Sequence, residues 1–296
     1  MKFVLTGAKG FIGSQLSCYF DKQGLGVIPL GRSSDAMAVL QGANVVVHLA
    51  ARVHVMNDQS ADPLSDFRRS NVDATVLLAR QSANAGVRRF VYISSVKVNG
   101  ESTKAGCPFT EQDIEGPQDA YGTSKWEAEQ ALRQIAQATG MELVIVRPPL
   151  VYGSGVKANF ATLIHAVSKR WPMPLAAIHN SRSFVGVDNL VDFIHCCATH
   201  PNAANQTFLV SDGADVSTAQ LIRELATVLN VRPNLWTVPQ WMLELGGALF
   251  GKRAAVERVC GNLQVDISKA RKLLDWRPPV SLQEGLRRAA EGVNNS

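Results

Sequence analysis

A chain of 296 residues with 46% hydrophobic content can bury one large core or two smaller ones, and it has the composition of an ordinary globular protein. A net charge of +5 suits anionic small molecules, but no run of five or more Lys and Arg occurs; the pairs Arg68-Arg69, Arg88-Arg89 and Arg287-Arg288 read as solvated helix ends, which argues against nucleic acid. Five cysteines without CxxC spacing argue against a disulfide framework and a zinc site, so no metal is expected and a reducing cytoplasm is the expected compartment.

Up to about residue 150, short β-rich runs alternate with longer helical patterns. Strands are predicted at Lys2–Leu5, Val27–Leu30, Val45–Leu49, Arg89–Ile93 and Glu142–Val146, each nearly continuously apolar, as a strand covered on both faces must be. Helices are predicted between them at Phe11–Gln23, Asp35–Leu40, Pro63–Ala85 and Tyr121–Thr139. The alternation implies an α/β fold, a doubly wound parallel sheet with helices on both faces. Beyond Arg147-Pro148-Pro149, prolines punctuate shorter elements. One more strand is expected at Asn205–Val210, then a turn at Ser211-Asp212-Gly213 and a helix near Ala219–Leu229 capped by Ser217 or Thr218. Cys196-Cys197 read as core packing. The apolar stretch Trp241 to Phe250 reads as a core helix of a small region in preference to a docking surface, and no apolar run approaches the roughly 18 residues that span a bilayer.

Three stretches carry chemistry. In MKFVLTGAKGFIG, Gly7, Gly10 and Gly13 follow the first strand at three-residue intervals. Alone they are either a plain strand-to-helix turn or a cradle for a dinucleotide pyrophosphate, in which Gly7 takes the tight turn, Gly10 admits the phosphate and Gly13 lets helix and sheet pack closely. In YGTSK, Tyr121 and Lys125 lie four residues apart on one face of a helix, where an ammonium favours the phenolate and lets the pair exchange a proton with an alcohol or carbonyl. In FVYISSVKVNG, Ser94 and Ser95 end a strand at the carboxyl edge of the sheet, where such sheets bind ligands.

TGAKGFIG, HLAA at 48–51, Asn71 in NVDAT, ISSVKVNG, YGTSK, RPPLVYG and RSFVGVDNLVD occur in this order. Together they resemble the extended short-chain dehydrogenase/reductases that act on sugar nucleotides, over essentially the whole chain. The stretches VHLAARVHVMND, SSVKVNGE, RPPLVYGSGVKANF and NQTFLVSDG are most similar to bacterial O-antigen enzymes that reduce UDP-4-keto-6-deoxy-N-acetylhexosamines. The resemblance implies a Rossmann-type domain over 1–153 plus about 184–212, and a smaller mixed substrate-binding region over about 154–183 plus 213–296.

It also implies roles. Tyr121 is the expected acid-base residue, Ser95 rather than Ser94 orients the reacting sugar oxygen, and Lys125 holds the nicotinamide ribose and keeps Tyr121 acidic. Gly7, Gly10, Phe11, Ile12, Gly13, Leu49, Ala50, Ala51, Asn71 and Pro148 are the expected remaining cofactor contacts. Arg32 and Ser33 follow the second strand where an acid would receive an adenosine ribose, and they favour NADP(H) through a 2′-phosphate, with NAD(H) the alternative. Ser95, Val96, Lys97, Tyr121, Asn159, Arg182 and Arg258 are the expected substrate contacts, with the two arginines toward the pyrophosphate of a UDP-sugar and Asn159 toward the diphosphate or the sugar; Lys157 and Arg258 read equally as solvated surface charge. His48 is expected in the core, and His54 either near the sugar or lining a loop. The span from Arg32 to Val45 lacks the family's usual third strand, and Asn99 stands where relatives carry tyrosine on the sugar side.

Related dehydratases carry an acidic pair directly after the serine, and Val96 with Lys97 cannot replace it. The primary expectation is therefore reduction of the C4 ketone of a UDP-4-keto-6-deoxy-N-acetylhexosamine, the alternative a UDP-N-acetylhexosamine or UDP-hexose 4-epimerase. A non-catalytic NAD(P)-sensing regulator is the remote third reading. A homodimer joined through the helices near 63–85 and 121–139 is expected from the resemblance.

Overall fold

The computed structural model describes residues 1–31, 34–52, 62–156 and 158–294. Its main sheet has six parallel strands in the order β2-β1-β3-β4-β5-β8: β1 Phe3–Thr6, β2 Val27–Leu30, β3 Val45–His48, β4 Arg89–Ile93, β5 Glu142–Arg147 and β8 Gln206–Leu209. All carboxyl ends therefore share one edge. β1, β3 and β4 are buried at every position, which is why their sequences show no alternation. β2 is half exposed and holds Pro29, a residue that an edge strand tolerates because one side of its backbone is unpaired. β1 lies between β2 and β3, so the expected absence of a strand after β2 is observed among the described residues.

The crossovers are α1 Phe11–Lys22, α2 Ala36–Leu40, α3 Pro63–Phe67, α4 Ala74–Asn84 and α5 Ala120–Thr139. Asp35 caps α2, accepting from Met37 N, and Ser217 rather than Thr218 caps the later helix α8, Thr218–Val228. The helix expected over Pro63–Ala85 is not continuous, because a π-helical turn over Arg68–Asp73 separates α3 from α4.

A short parallel pair, β6 Leu150–Tyr152 with β7 Phe184–Gly186, begins the second region. α6 Ala158–Ser168 lies between these strands, and α7 Val187–Thr199 carries the chain back to β8. The remaining helices are α9 Gln240–Leu249, α10 Arg253–Cys260, α11 Ser268–Leu274 and α12 Leu282–Asn294. Two cores flank the sheet. One holds Phe3, Leu5, Val47, Val146, Phe193, Phe208 and Trp276, the other Val4, Val46, Phe90, Leu132 and Ile145. A third core, with Tyr152, Phe160, Phe184, Ile222, Leu225 and Leu286, belongs to the second region.

Two sequence expectations fail here. Arg89 is not solvated: it is buried, with Nε donating to Glu142 at 2.7 Å and Nη1 to the Cys197 and His200 carbonyls at 2.9 and 2.8 Å. Nor is the Trp241–Phe250 stretch a core helix. Among the described residues of α9 only Gly247 is buried, against Val256 of α10, and the large side chains face solvent. Cys197 does pack in the core, where burial raises its thiol far above the ordinary range.

Candidate active site

The β1–α1 turn is built for close approach. Gly7 adopts a φ of 71°, and a Cβ there would meet Ala50 N at 2.9 Å. A Cβ on Gly13 would lie 2.0 Å from Gly7 O. Gly10 precedes α1, whose first turn has neither a side-chain cap nor an acidic residue, so its amides and the positive end of its dipole remain for an anion. Phe11 and Ile12 anchor this turn on the core. Leu49, Ala50 and Ala51 leave β3 beside it, with Ala50 N donating to Thr6 Oγ1 at 3.2 Å. The open amides and the close-approach glycines fit the pyrophosphate of a dinucleotide.

Beneath the edge, His48 is buried with Nδ1 2.7 Å from Thr6 Oγ1 and Nε2 2.8 Å from Thr75 Oγ1. Burial, and secondarily Lys125, lower its pKa to about 3, so it stays neutral, the core histidine expected. Asn71 is turned inward by the π-helical segment. Its Oδ1 accepts from Arg52 N at 2.8 Å, and its Nδ2 donates to Arg52 O and to Ser124 Oγ, both at 3.0 Å. Ser124 donates in turn to Tyr121 O at 2.8 Å. Asn71 thus ties the chain after β3 to the catalytic-type helix.

Tyr121 and Lys125 lie in the first turns of α5, which Asp119 caps by accepting from Gly122 N at 2.6 Å. Lys125 is 2% exposed; its Nζ donates to Ile93 O at 2.8 Å and lies 4.7 Å from the Tyr92 ring centroid and 5.9 Å from that of Tyr121. Ser95, two residues beyond β4, lies beside the Tyr121 phenol, whose pKa it lowers, and accepts from Lys97 N at 3.2 Å. Pro148, after β5, accepts from Val96 N at 3.0 Å. The structure thus brings Ser95, Tyr121 and Lys125 to one edge with the glycine turn.

The electrostatics differ from the sequence expectation. Burial is the main influence on Tyr121 and raises its pKa, Asp119 adds to the rise, and Ser95 opposes it. Burial lowers Lys125 to about 7 against a raising effect from Glu129. Lys125 is therefore only partly charged near neutrality, and it is not among the groups that lower the Tyr121 pKa, against what the resemblance implied. The unfolded lysine titrates near its ordinary value, so between pH 7 and that value the unfolded chain binds the additional proton, and the Lys125 contribution to stability rises with pH. The stability of wild type minus Lys125→Met, from urea titrations at pH 7.5 and 9.5, is expected to rise with pH, by at most about 1.4 kcal/mol per pH unit. A flat difference would contradict the buried, depressed amine.

Other expected contacts are committed elsewhere. Val96 is buried in the core, and Lys97 pairs with Glu101 at 3.1 Å and with Asp119, so it steadies the α5 cap. Asn99 is fully buried, donates to the Thr110 and Asp113 carbonyls at 2.8 and 2.7 Å, and so holds a loop instead of forming a sugar-side wall. Arg182 bridges Val216 and Leu263, and its Nη1 donates to Gly261 O at 2.9 Å. Burial lowers its pKa, and it makes no ion pair among the described residues, the state of a guanidinium ready for an anion. Arg258 lies nearby, lining with Glu101, Gln118, Gln240, Glu244 and Gly261 a cleft of about 300 Å³. Arg32, Ser33, His54 and Lys157 lie outside the described residues, as does the side chain of Asn159.

Sequence reasoning missed Glu129 and Arg147, both buried below the site. Glu129 accepts from Ser94 Oγ at 2.6 Å and from Arg147 at 2.9 and 2.6 Å, and Arg147 reaches Asn99 Oδ1 at 3.2 Å. The spacing Tyr121, Lys125, Glu129 along one helical face was the available signal.

Residues 3–211 match the NAD dependent epimerase/dehydratase family. Over 97% of the chain and 94% of the relative, the sequence is 47% identical to a UDP-glucose 4-epimerase of Vibrio cholerae. It is 28% identical, over 97% and 94%, to the N-acetyl-α-D-glucosaminyl-diphospho-ditrans,octacis-undecaprenol 4-epimerase of Escherichia coli O157:H7. In fold it is similar to the UDP-glucuronic acid 4-epimerase of Bacillus cereus in complex with NAD, at a TM-score of 0.81 and 21% identity, covering 100% of this chain and 99% of that one. The chain belongs to the NAD-dependent epimerase/dehydratase family of extended short-chain dehydrogenase/reductases and is an NAD(P)-dependent enzyme. Gly13→Ala is expected to cost about 1–3 kcal/mol in a urea titration, since the turn has to open to admit a methyl group against backbone, and to weaken dinucleotide retention on a desalting column.

Proposed function

We propose that the enzyme inverts the configuration at C4 of a UDP-hexose or UDP-N-acetylhexosamine. The observation that carries this reading is the 47% identity, over 97% of the chain, to a UDP-glucose 4-epimerase. It moves the preference away from ketone reduction. We also propose NAD as the cofactor, because the reaction is redox-neutral and consumes no reductant.

When bound, the nicotinamide ring supplies a reversible acceptor of hydride. Gly7, Gly10, Phe11, Ile12 and Gly13 would hold the pyrophosphate, with Leu49, Ala50, Ala51 and Pro148 around the cofactor and Asn71 fixing the chain that carries them. Tyr121 would take the proton of the C4 hydroxyl on its phenolic oxygen and later return it. Ser95, beside that phenol, would hold the same sugar oxygen in line. Lys125, with a pKa near 7, would contact the ribose and hold a proton within the same buried network. Arg182, with Arg258 across Gly261, would receive the UDP diphosphate.

The test is incubation with UDP-glucose and with UDP-N-acetylglucosamine without added reductant, followed by NMR of the anomeric protons. Appearance of the galacto epimers is expected. Consumption of one NADPH per UDP-4-keto-6-deoxy-N-acetylhexosamine, with no epimer formed, would return the assignment to a reductase.

A further inference from the structure

Three of the five tryptophans stand exposed on the second region: Trp171 at 51%, Trp236 at 61% and Trp241 at 63%. The first two segments run side by side, with Trp236 N donating to Met173 O at 2.9 Å and Asn234 Nδ2 to Arg170 O at 3.0 Å. Trp241 then opens the stripe Trp241, Met242, Leu245 and Leu249, which recurs at helical spacing along α9, and Phe250 follows at 80% exposure. The other sides of the same helix are used. Gly247 packs against Val256, and Gln240 and Glu244 turn to the cleft that Arg258 lines. Single apolar side chains on a surface need no explanation, but an exposed apolar stripe along a helix, in a region with three exposed tryptophans, does.

Charge identifies the occupant. Exposed Lys169, Arg170 and Arg232 lie at one end of this patch, exposed Lys252 and Arg253 at the other. The acids of the same stretch, Glu244 and Glu257, line the cleft, Glu257 also pairing with Arg253. A second copy seated on this face would set one basic patch against another, because a two-fold interface repeats one patch on both sides. An anionic lipid surface meets both features: tryptophan favours the headgroup boundary, and basic residues meet lipid phosphates there.

We propose that α9 docks flat on an anionic phospholipid bilayer, with Trp171, Trp236, Trp241, Leu245, Leu249 and Phe250 entering the headgroup boundary inside this basic collar. The contact is interfacial, since no helix among the described residues is long and apolar enough to cross a membrane. Because the cleft lies on the opposite side of the same helix, docking sets its mouth beside the lipid surface.

The test is flotation of the full-length protein with vesicles of phosphatidylglycerol and phosphatidylethanolamine, against vesicles of phosphatidylcholine alone. Flotation with the anionic vesicles, a blue shift of tryptophan emission and release by added salt are expected. Leu245→Glu/Leu249→Glu is expected to lower the bound fraction about tenfold with an unchanged Tm, since both side chains already face water. Arg232→Ala/Lys252→Ala is expected to remove the preference for anionic over neutral vesicles. No flotation of the wild type, or equal flotation of the Leu245→Glu/Leu249→Glu protein, would overturn the proposal. A mass doubling in sedimentation that this double variant abolishes, without vesicle binding, would overturn it in favour of a second copy.

Discussion

Replacing Tyr121 by phenylalanine is expected to lower kcat for UDP-sugar epimerisation by about 10²–10⁴-fold, the range attached to losing a positioned acid-base group, with KM within a few-fold of wild type. The substitution removes one oxygen and little else. The Tyr121 ring packs edge-on against Phe67 with centroids 6.0 Å apart, and a phenylalanine keeps that contact, so Tm should hold. The hydroxyl is neutral and sits beside Ser95, whose Oγ accepts from Lys97 N, so its loss leaves no buried charge behind. Burial also fixes the sign of the pH dependence. A phenol with a raised pKa is protonated throughout the neutral range, and the phenolate fraction grows as pH rises toward that pKa. The wild-type kcat/KM should therefore climb with pH where Tyr121 must first accept a proton, and the residual rate of the variant should lack that limb. A Tyr121→Phe enzyme that keeps more than a tenth of wild-type kcat would remove Tyr121 from the chemistry, and an intact activity would favour a sensing role.

Much of the sheet and the heart of the site were legible in the sequence, for reasons that also explain the failures. A strand covered on both faces needs a continuous apolar run, and FVLT, VVVH and RFVYI are bounded by turns and charged residues, so β1, β3 and β4 were found within a residue of their ends. β6 and β7, of three residues each, pair with one another and are too short to carry a pattern. The π-helical turn at Arg68–Asp73 was hidden because its cause is tertiary: Asn71 must reach the Arg52 backbone and Ser124. The glycine turn and the Ser95, Tyr121 and Lys125 cluster were visible because each requires a particular residue type at a fixed spacing. What those groups feel was not visible. Proton affinity follows burial, and burial moved Tyr121 and Lys125 in directions that a count of neighbouring charges in the sequence does not predict. Exposure failed in both directions for the same reason. Arg89 is held inside by three oxygen partners, whereas the apolar stripe of α9 faces out while the helix packs on α10 through Gly247.

Arg147→Met is expected to cost about 3–5 kcal/mol of folding stability, read as a lower urea midpoint with little change in slope. The guanidinium is 1% exposed and the facing Glu129 carboxylate 0%. Two short bonds join them, and Arg133 Nη2 at 3.8 Å is too far and too exposed to take over. Methionine fills much of the volume, so the cost falls on the stranded charge, not on a cavity. This separates the interpretations experimentally. If the stranded carboxylate is the cause, Glu129→Gln/Arg147→Met should lose less stability than the two single changes added together, because the neutral amide can still accept from Ser94. If lost packing or the Asn99 bond is the cause, the two costs should add. The network also reaches the chemistry through position: Glu129 holds Ser94, and Ser94 precedes Ser95 just past the end of β4. The double variant should therefore refold yet show a lowered kcat, whereas an Arg147→Met protein within about 1 kcal/mol of wild type would show that the buried pair contributes little to the fold.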